Sequence, residues 1–368
     1  MSKACGGPAC TTLLTLQGLQ TLGMTVKLLT NQVRPGDESV SDEPFIHYLK
    51  RPYFYNSRFG YSPAFDNALR ENTRADIYHI QGIWQYQGYV TARFASKNHL
   101  PYVITLHGAL HPEALRYSSF IKKTALSLFQ RKQLQEAACV HVTCMEEMNH
   151  YRSLGFTNPV AVVPNPIEDS EPVESLFKDN INRVGYLGRI QPYKRVDRLI
   201  EVWKNLCEPG ELIIMGDGDP KYVSEIRKTV KKMGLHKVRF TGWVSGLEKQ
   251  RLLASLTCLV VPSDFENFGM IIAEALLQNV PVIGSTATPW EDLNIYRCGW
   301  WVNNDSETLT NVLGEVLLLD KETLSDMGKR GRQLVLDKYA VQVIAAQMRQ
   351  LYDWLTGNSE KPDFVFLQ

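Results

Sequence analysis

Short apolar runs alternate with amphipathic helical stretches along all 368 residues. That alternation predicts an α/β protein of two doubly wound parallel-sheet domains. Length points the same way, because a single core rarely grows to this size. A third observation divides the chain. Pro164-Asn-Pro-Ile-Glu-Asp-Ser-Glu-Pro172 is proline-rich and acidic, the composition of an interdomain linker. The predicted domains are 1–166 and 167–345, with a C-terminal helical segment over 346–368.

The elements follow in order. Val26–Leu29, Ile77–Ile80, Tyr102–Thr105, Cys139–Val142 and Val160–Val163 read as strands of the first domain. Arg183–Leu187, Leu212–Met215, Val238–Phe240, Cys258–Val261, Val280–Ile283 and Trp300–Val302 read as strands of the second. Val196, Leu199, Ile200 and Trp203 fall at i, i+3, i+4 and i+7, one face of a helix. A long helix is expected over Ala340–Trp354. The start departs from the pattern. Strand one of a doubly wound domain precedes a glycine turn, and here Gly6-Gly7-Pro8 has five residues before it. We expect a truncated first strand, a gap or displaced edge in the sheet, and a native start upstream of Met1.

Composition excludes several classes. Net charge is +1, so no global electrostatic footprint for nucleic acid exists. Apolar content of 44% is ordinary for a globular protein. No apolar run reaches membrane-spanning length, and no signal-peptide h-region follows Met1. The seven cysteines lack metal-ligand spacing and fit reduced thiols in a cytoplasmic protein. No Gly-x-Gly-x-x-Gly follows a strand, which argues against a dinucleotide-dependent oxidoreductase.

The most informative stretch is Pro262-Ser-Asp-Phe-Glu-Asn-Phe-Gly-Met-Ile-Ile-Ala-Glu274. It follows a buried strand and enters a helix predicted over Phe268–Leu277. A helix N-terminus carries unpaired N–H groups and partial positive charge, which suits phosphate. Carboxylates on either side would repel phosphate, so Glu266 and Glu274 make sense as acceptors for hydroxyls flanking a diphosphate. A solvated loop carboxylate and a surface helix carboxylate are the plainer alternative. This stretch resembles the Glu-x7-Glu motif of family 4 retaining glycosyltransferases, which have the GT-B fold.

The resemblance implies a site in the cleft between two Rossmann-like domains. Arg189 and Lys194 in Tyr186-Leu-Gly-Arg-Ile-Gln-Pro-Tyr-Lys194 match the family's basic pair. They would neutralise the departing diphosphate in place of a metal ion; a solvated basic turn is the alternative. Glu274 would hold the ribose and Glu266 a sugar hydroxyl. Asn267, Phe268, Gly269 and Met270 line the helix entrance. Gly216 lies in the loop beside the nucleotide and Val244 in the base-binding turn. His107, in Thr105-Leu-His-Gly108, matches the dipeptide that contacts the donor sugar. Gly6 and Gly7 match the glycine turn by the donor phosphates. Asp217 and Asp219 look like a metal-binding pair, but Asp219 before Pro220 reads better as a helix cap.

The implied activity is transfer from a nucleotide sugar, UDP-linked before GDP-linked, to a glycan or lipid-linked acceptor, with no cofactor and no metal. Thr288-Pro-Trp-Glu-Asp-Leu293 and Cys298-Gly-Trp-Trp-Val302 resemble bacterial members that build capsule, O-antigen or other envelope polysaccharide. Residues 116–132 form a basic amphipathic stretch, either a core helix with a basic rim or a peripheral contact with the inner face of the plasma membrane. The alternatives are a nucleotide-sugar epimerase of the same fold and a non-catalytic nucleotide- or sugar-binding remnant.

Overall fold

The structure is a computed structural model that describes residues 7–33, 39, 41–50, 60–71, 75–116, 122, 124–177 and 179–368. The chain forms two units. One comprises Met1–Pro166 with Val341–Gln368, the other Ile167–Ala340.

The second unit is a six-stranded sheet of β7 (Arg183–Leu187), β8 (Glu211–Met215), β9 (Val238–Gly242), β10 (Cys258–Val261), β11 (Val282–Ser285) and β12 (Gly299–Val302). Its order is β12-β11-β10-β7-β8-β9, and every pairing is parallel. Alternate side chains of a strand point to opposite faces. Accordingly Leu212, Ile214 and Val260 join one core with Leu199, Ile200 and Trp203 of the helix Val196–Asn205. Ile213, Met215 and Val261 join another with Ile272, Ala275 and Leu276 of the helix Met270–Leu277. Coverage on both faces is why these strands read as unbroken apolar runs.

The first unit has a five-stranded sheet in the order β13-β6-β5-β4-β3. Its strands are β3 (Tyr78–Gln81), β4 (Tyr102–Thr105), β5 (Cys139–Val142), β6 (Val160–Val162) and β13 (Val365–Phe366). β13 pairs antiparallel with β6; the other pairings are parallel. β1 (Leu28–Asn31) and β2 (Ile46–Leu49) form a separate parallel pair. Among the described residues β3 pairs only with β4. The expectation about the chain start concerns residues 1–6, which lie outside the described residues.

The helix Val341–Leu355 belongs to this first unit and packs on the helix Gly7–Thr21. Gly18 makes that approach possible, since a Cβ there would sit 2.6 Å from the Cβ of Ala345. Leu19, Ile344 and Met348 close the contact over Val103 and Cys139 of the sheet.

Candidate active site

In the second unit the chain winds from β7 through β8 to β9, then returns to β10 and winds the other way through β11 to β12. The loops leaving the carboxyl ends of β7 and β10 therefore diverge, and the crevice at such a switch point is where open α/β sheets bind ligands. Lys194 lies in the first of these loops and Glu266 in the second, and their side chains form an ion pair. Ser263 Oγ donates to the same Glu266 oxygen at 3.0 Å. Both charged side chains are nearly buried, at 13% and 10% exposure, so added salt screens the pair little. The Asp264 N–H donates to the Tyr193 carbonyl at 2.8 Å and the Glu266 N–H to the Ala287 carbonyl at 3.2 Å. Asp264 also pairs with Arg195 and Arg198 at 3.2 Å. Arg189 leaves the same strand end exposed, with no ion-pair partner among the described residues.

A second ion pair holds Glu274. Lys249, from the helix Gly246–Leu253, places Nζ 2.9 Å from Glu274 Oε1, with about a quarter of each side chain exposed. Sequence reasoning did not find Lys249. Its only signal was its place in the helix after the Val244 turn, and the pairing is tertiary.

The helix begins at Met270 rather than Phe268. Gly269 is its N-cap with φ 80°, a left-handed conformation that suits glycine. Phe268 turns inward, 5.4 Å from the rings of both Trp290 and Tyr339, and its carbonyl accepts from Trp290 Nε1. Its ring is therefore core. Asn267 and Met270 are half-buried at the entrance, beside first-turn amides that an anion can use.

Gly216 has φ 132°, and a Cβ on it would meet the Gly188 carbonyl oxygen at 1.9 Å. Here glycine permits approach of backbone to backbone, where the sequence suggested approach to the nucleotide. The Ile190 N–H donates to the Asp217 carbonyl at 2.9 Å, and the Gly216 N–H to the Gly242 carbonyl at 2.8 Å. These bonds knit three strand-end loops together. Asp219 Oδ1 caps the helix Pro220–Lys232, accepting from the N–H groups of Lys221 and Tyr222 at 3.0 and 3.1 Å. Asp217 accepts from its neighbour Gly218 at 2.8 Å. Val244 is buried, so only its main chain could meet a base.

The first unit presents different chemistry at its strand ends. His107, φ 51°, lies after β4 with Nε2 2.9 Å from Gln81 Oε1. Burial, and then neighbouring His141, lower its pKa to about 4, so its imidazole is neutral at pH 7. Behind it runs a chain of hydrogen bonds whose direction is fixed at one end. His141 Nε2 donates to the Val163 carbonyl at 2.8 Å, which leaves Nδ1 to accept from Thr105 Oγ1 at 2.8 Å. Thr105 in turn accepts from His79 Nε2 at 2.6 Å, and His79 Nδ1 accepts from Tyr352 O–H at 2.5 Å. Each donor and acceptor is used once. The chain ties β3, β4 and β5 to the C-terminal helix.

Gly7 opens its helix and is exposed; Gly6 lies outside the described residues. Of the basic stretch 116–132, residues 117–121 and 123 also lie outside them. Arg131 donates to the Leu154 carbonyl at 3.0 Å and stacks over Phe156, while Leu128 is exposed. No described helix is long and apolar enough to cross a membrane.

Two α/β units built on parallel sheets, with cations and carboxylates gathered at the switch point of one, are the architecture of the GT-B fold. Comparison with known proteins gives the family. Residues 168–334 match Glycosyl transferases group 1, and residues 6–166 match the Glycosyl transferase 4-like domain. The chain belongs to the group 1 glycosyltransferases. An uncharacterised glycosyltransferase of Methanocaldococcus jannaschii is 24% identical over 73% of each chain. Sucrose-phosphate synthase from Thermosynechococcus elongatus has the same fold, with TM-score 0.80 and 23% identity over 96% of this chain and 94% of that one. So does Anabaena HepE, solved with UDP and glucose, with TM-score 0.67 and 19% identity over 83% and 85%.

Proposed function

We propose that this glycosyltransferase is a retaining, metal-independent enzyme. It would move a sugar from a UDP-linked donor to a glycan or lipid-linked acceptor of envelope polysaccharide. The Lys194–Glu266 pair at the switch point carries the reading. It sets a cation for the diphosphate against a carboxylate that can accept from a sugar hydroxyl. Arg189 and Lys194 stabilise charge on the leaving group. Glu274 accepts from the ribose. Neutral His107 offers a hydrogen bond to the sugar without adding charge. Asp219 is engaged as a helix cap, which supports cationic side chains, rather than a metal ion, as partners of the diphosphate. The UDP complex of Anabaena HepE makes UDP the first base to test. The tryptophan-containing motifs at 288–302 support an envelope role.

A thermal-shift screen of UDP- and GDP-sugars reads donor choice, because a bound donor stabilises the native state. Proton NMR of the product reads the anomer. The expected result is a shift with a UDP-sugar and a product that keeps the donor's α configuration, in buffer containing EDTA. Preference for a GDP-sugar, an inverted product, turnover lost in EDTA and restored by magnesium or manganese, or an epimerised nucleotide sugar formed without acceptor would each overturn the matching part.

A further inference from the structure

Three side chains of the first unit that take no part in the proposed donor site converge on one point. The helix Met145–Ser153 carries Glu146 and His150 four residues apart, hence on one face. The turn after β4 brings His111 to the same place. Nε2 of His111 and Nε2 of His150 each lie 3.9 Å from Glu146 Oε1. One ligand atom from each residue can be chosen so that all three lie within 4.8 Å of one another. The imidazole rings meet edge to face with centroids 4.6 Å apart. The His111 and His150 side chains are 13% and 23% exposed, and Glu146 is 46% exposed. The cluster is thus walled by imidazoles and open to solvent along the carboxylate. We propose that His111, Glu146 and His150 bind a zinc-type divalent transition metal, with water in the remaining position.

Two imidazoles and a carboxylate are a ligand set for zinc. Bonds of roughly 2.0–2.1 Å arranged tetrahedrally place ligand atoms about 3.4 Å apart. The two histidine–carboxylate distances close from 3.9 Å by about half an ångström, and ligand atoms as far apart as 4.8 Å close by up to about 1.4 Å, within reach of rotation about the side-chain bonds. Without metal, the arrangement is held otherwise. His111 Nδ1 accepts from the Glu113 N–H at 3.2 Å, so its proton sits on Nε2 and faces Glu146. Coordination through Nε2 moves that proton to Nδ1 and frees the Glu113 amide to water. The ring stays neutral throughout, and acid opposes the metal because protons compete for the same nitrogens.

The site has a structural consequence. His111 ends the turn that contains His107, and the Gly108 N–H of that turn donates to Glu147 on the same helix. A bound ion would add a second clamp between turn and helix. It would order the segment bearing His107.

Cobalt(II) is the probe, titrated into the full chain carrying no histidine tag and followed by visible absorption. We expect saturation at one equivalent, with the intense bands of four- or five-coordinate cobalt, displaced by zinc. His150→Ala and the more exposed Glu146→Ala should each weaken binding on the order of tenfold or more, with unchanged circular dichroism. Amides of residues 106–111 should exchange more slowly with zinc present. Only the weak spectrum of solvated cobalt would overturn the proposal. So would saturable binding that persists undiminished in both variants, since the ion would then sit elsewhere.

Discussion

The two units both bear polar groups at the ends of parallel strands, and they differ in electrostatics. In the second unit the polar groups are ionic and paired: Lys194 with Glu266, Lys249 with Glu274, Arg195 and Arg198 with Asp264. In the first, a neutral series runs from Tyr352 through His79 and Thr105 to His141, and the one carboxyl beside it among the described residues, Glu147, is held by the N–H groups of Gly108 and Thr143 rather than by a cation. The histidines divide in the same way. His47, His79, His99, His107, His111, His141 and His150 lie in the first unit, and only His236 in the second. A charged diphosphate is well met by paired ions, which can exchange one partner for another at little desolvation cost. A neutral relay gives up a hydrogen bond on gaining any charge, so it can fix geometry but cannot bind an anion. Under the proposed function, charge recognition would fall to the second unit and orientation to the first.

The largest expected effect tests that assignment. Lys194→Ala and Arg189→Ala should each lower kcat about 100-fold or more, the usual loss when one preorganised stabiliser is removed. Their stabilities should differ. Lys194→Ala strands the nearly buried Glu266 and should destabilise the second unit, whereas exposed Arg189 should leave it unchanged. Kinetics with the true donor and urea melts on both variants decide this. Near wild-type turnover in both would remove the diphosphate from this loop.

Acid should break the first unit before the second. Burial depresses the pKa of His79 and of His141, the latter to about 4, from an ordinary 6.5. Between those values the unfolded chain takes up protons that the folded chain does not. Stability is therefore full above pH 6.5 and is lost as pH falls toward 4. For His141 the loss should be on the order of 1 kcal/mol per pH unit within that window, and His79 adds to it in the same direction. Hydrogen exchange at pH 7.5 and pH 5, corrected for intrinsic rates and resolved by unit, reads it. Equal weakening of both units would mean that the relay is not what acid attacks.

Much of this was legible in the sequence, for an identifiable reason. Strands covered on both faces are continuous apolar runs, so Tyr102–Thr105, Cys139–Val142, Arg183–Leu187 and Cys258–Val261 were read with their observed limits. Ile46–Leu49 was missed because it has one buried residue in four, and Val365–Phe366 because two residues carry no period. The helix start was placed early because Phe268 is apolar. Its apolarity serves the cluster with Trp290 and Tyr339, and the left-handed Gly269 sets the boundary. Lys194 and Glu266 could be named from motifs, but no local pattern could show that they touch across 72 residues. Lys249 and the relay through Thr105 are likewise products of tertiary pairing.

A smaller effect sharpens the division within the second unit. Glu274→Ala should weaken free UDP, because ribose is part of it, and Glu266→Ala should spare UDP while weakening the intact sugar nucleotide. Lys249→Ala, which leaves Glu274 in place but unanchored, should weaken UDP about tenfold, the scale of losing one charge-assisted contact. Lys249→Arg should recover part of that loss. Calorimetry with both ligands distinguishes these cases. If Glu274→Ala matters and Lys249→Ala does not, the ion pair is incidental. If neither matters, Glu274 does not hold the ribose.

The smallest effect concerns Asp219, where charge at a strand end serves the backbone instead of a ligand. One oxygen, Oδ1, accepts from the amides of both Lys221 and Tyr222, and Pro220 occupies the first helical position. Removing such a cap costs about 1 kcal/mol. Asp219→Ala should therefore lower the second unit's urea midpoint by a small amount and leave turnover unchanged, with or without EDTA. Asp219→Asn should retain most of the stability, because an amide oxygen can accept from the same two N–H groups. A metal ligand would behave in the opposite way. Asn would then fail nearly as badly as Ala in turnover, and added manganese would shift the activity of the wild type but not of either variant. Stability that follows the capping order Asp, Asn, Ala, with flat kinetics, keeps the cations as the diphosphate's partners. Kinetics that follow charge at position 219 would return that role to a metal.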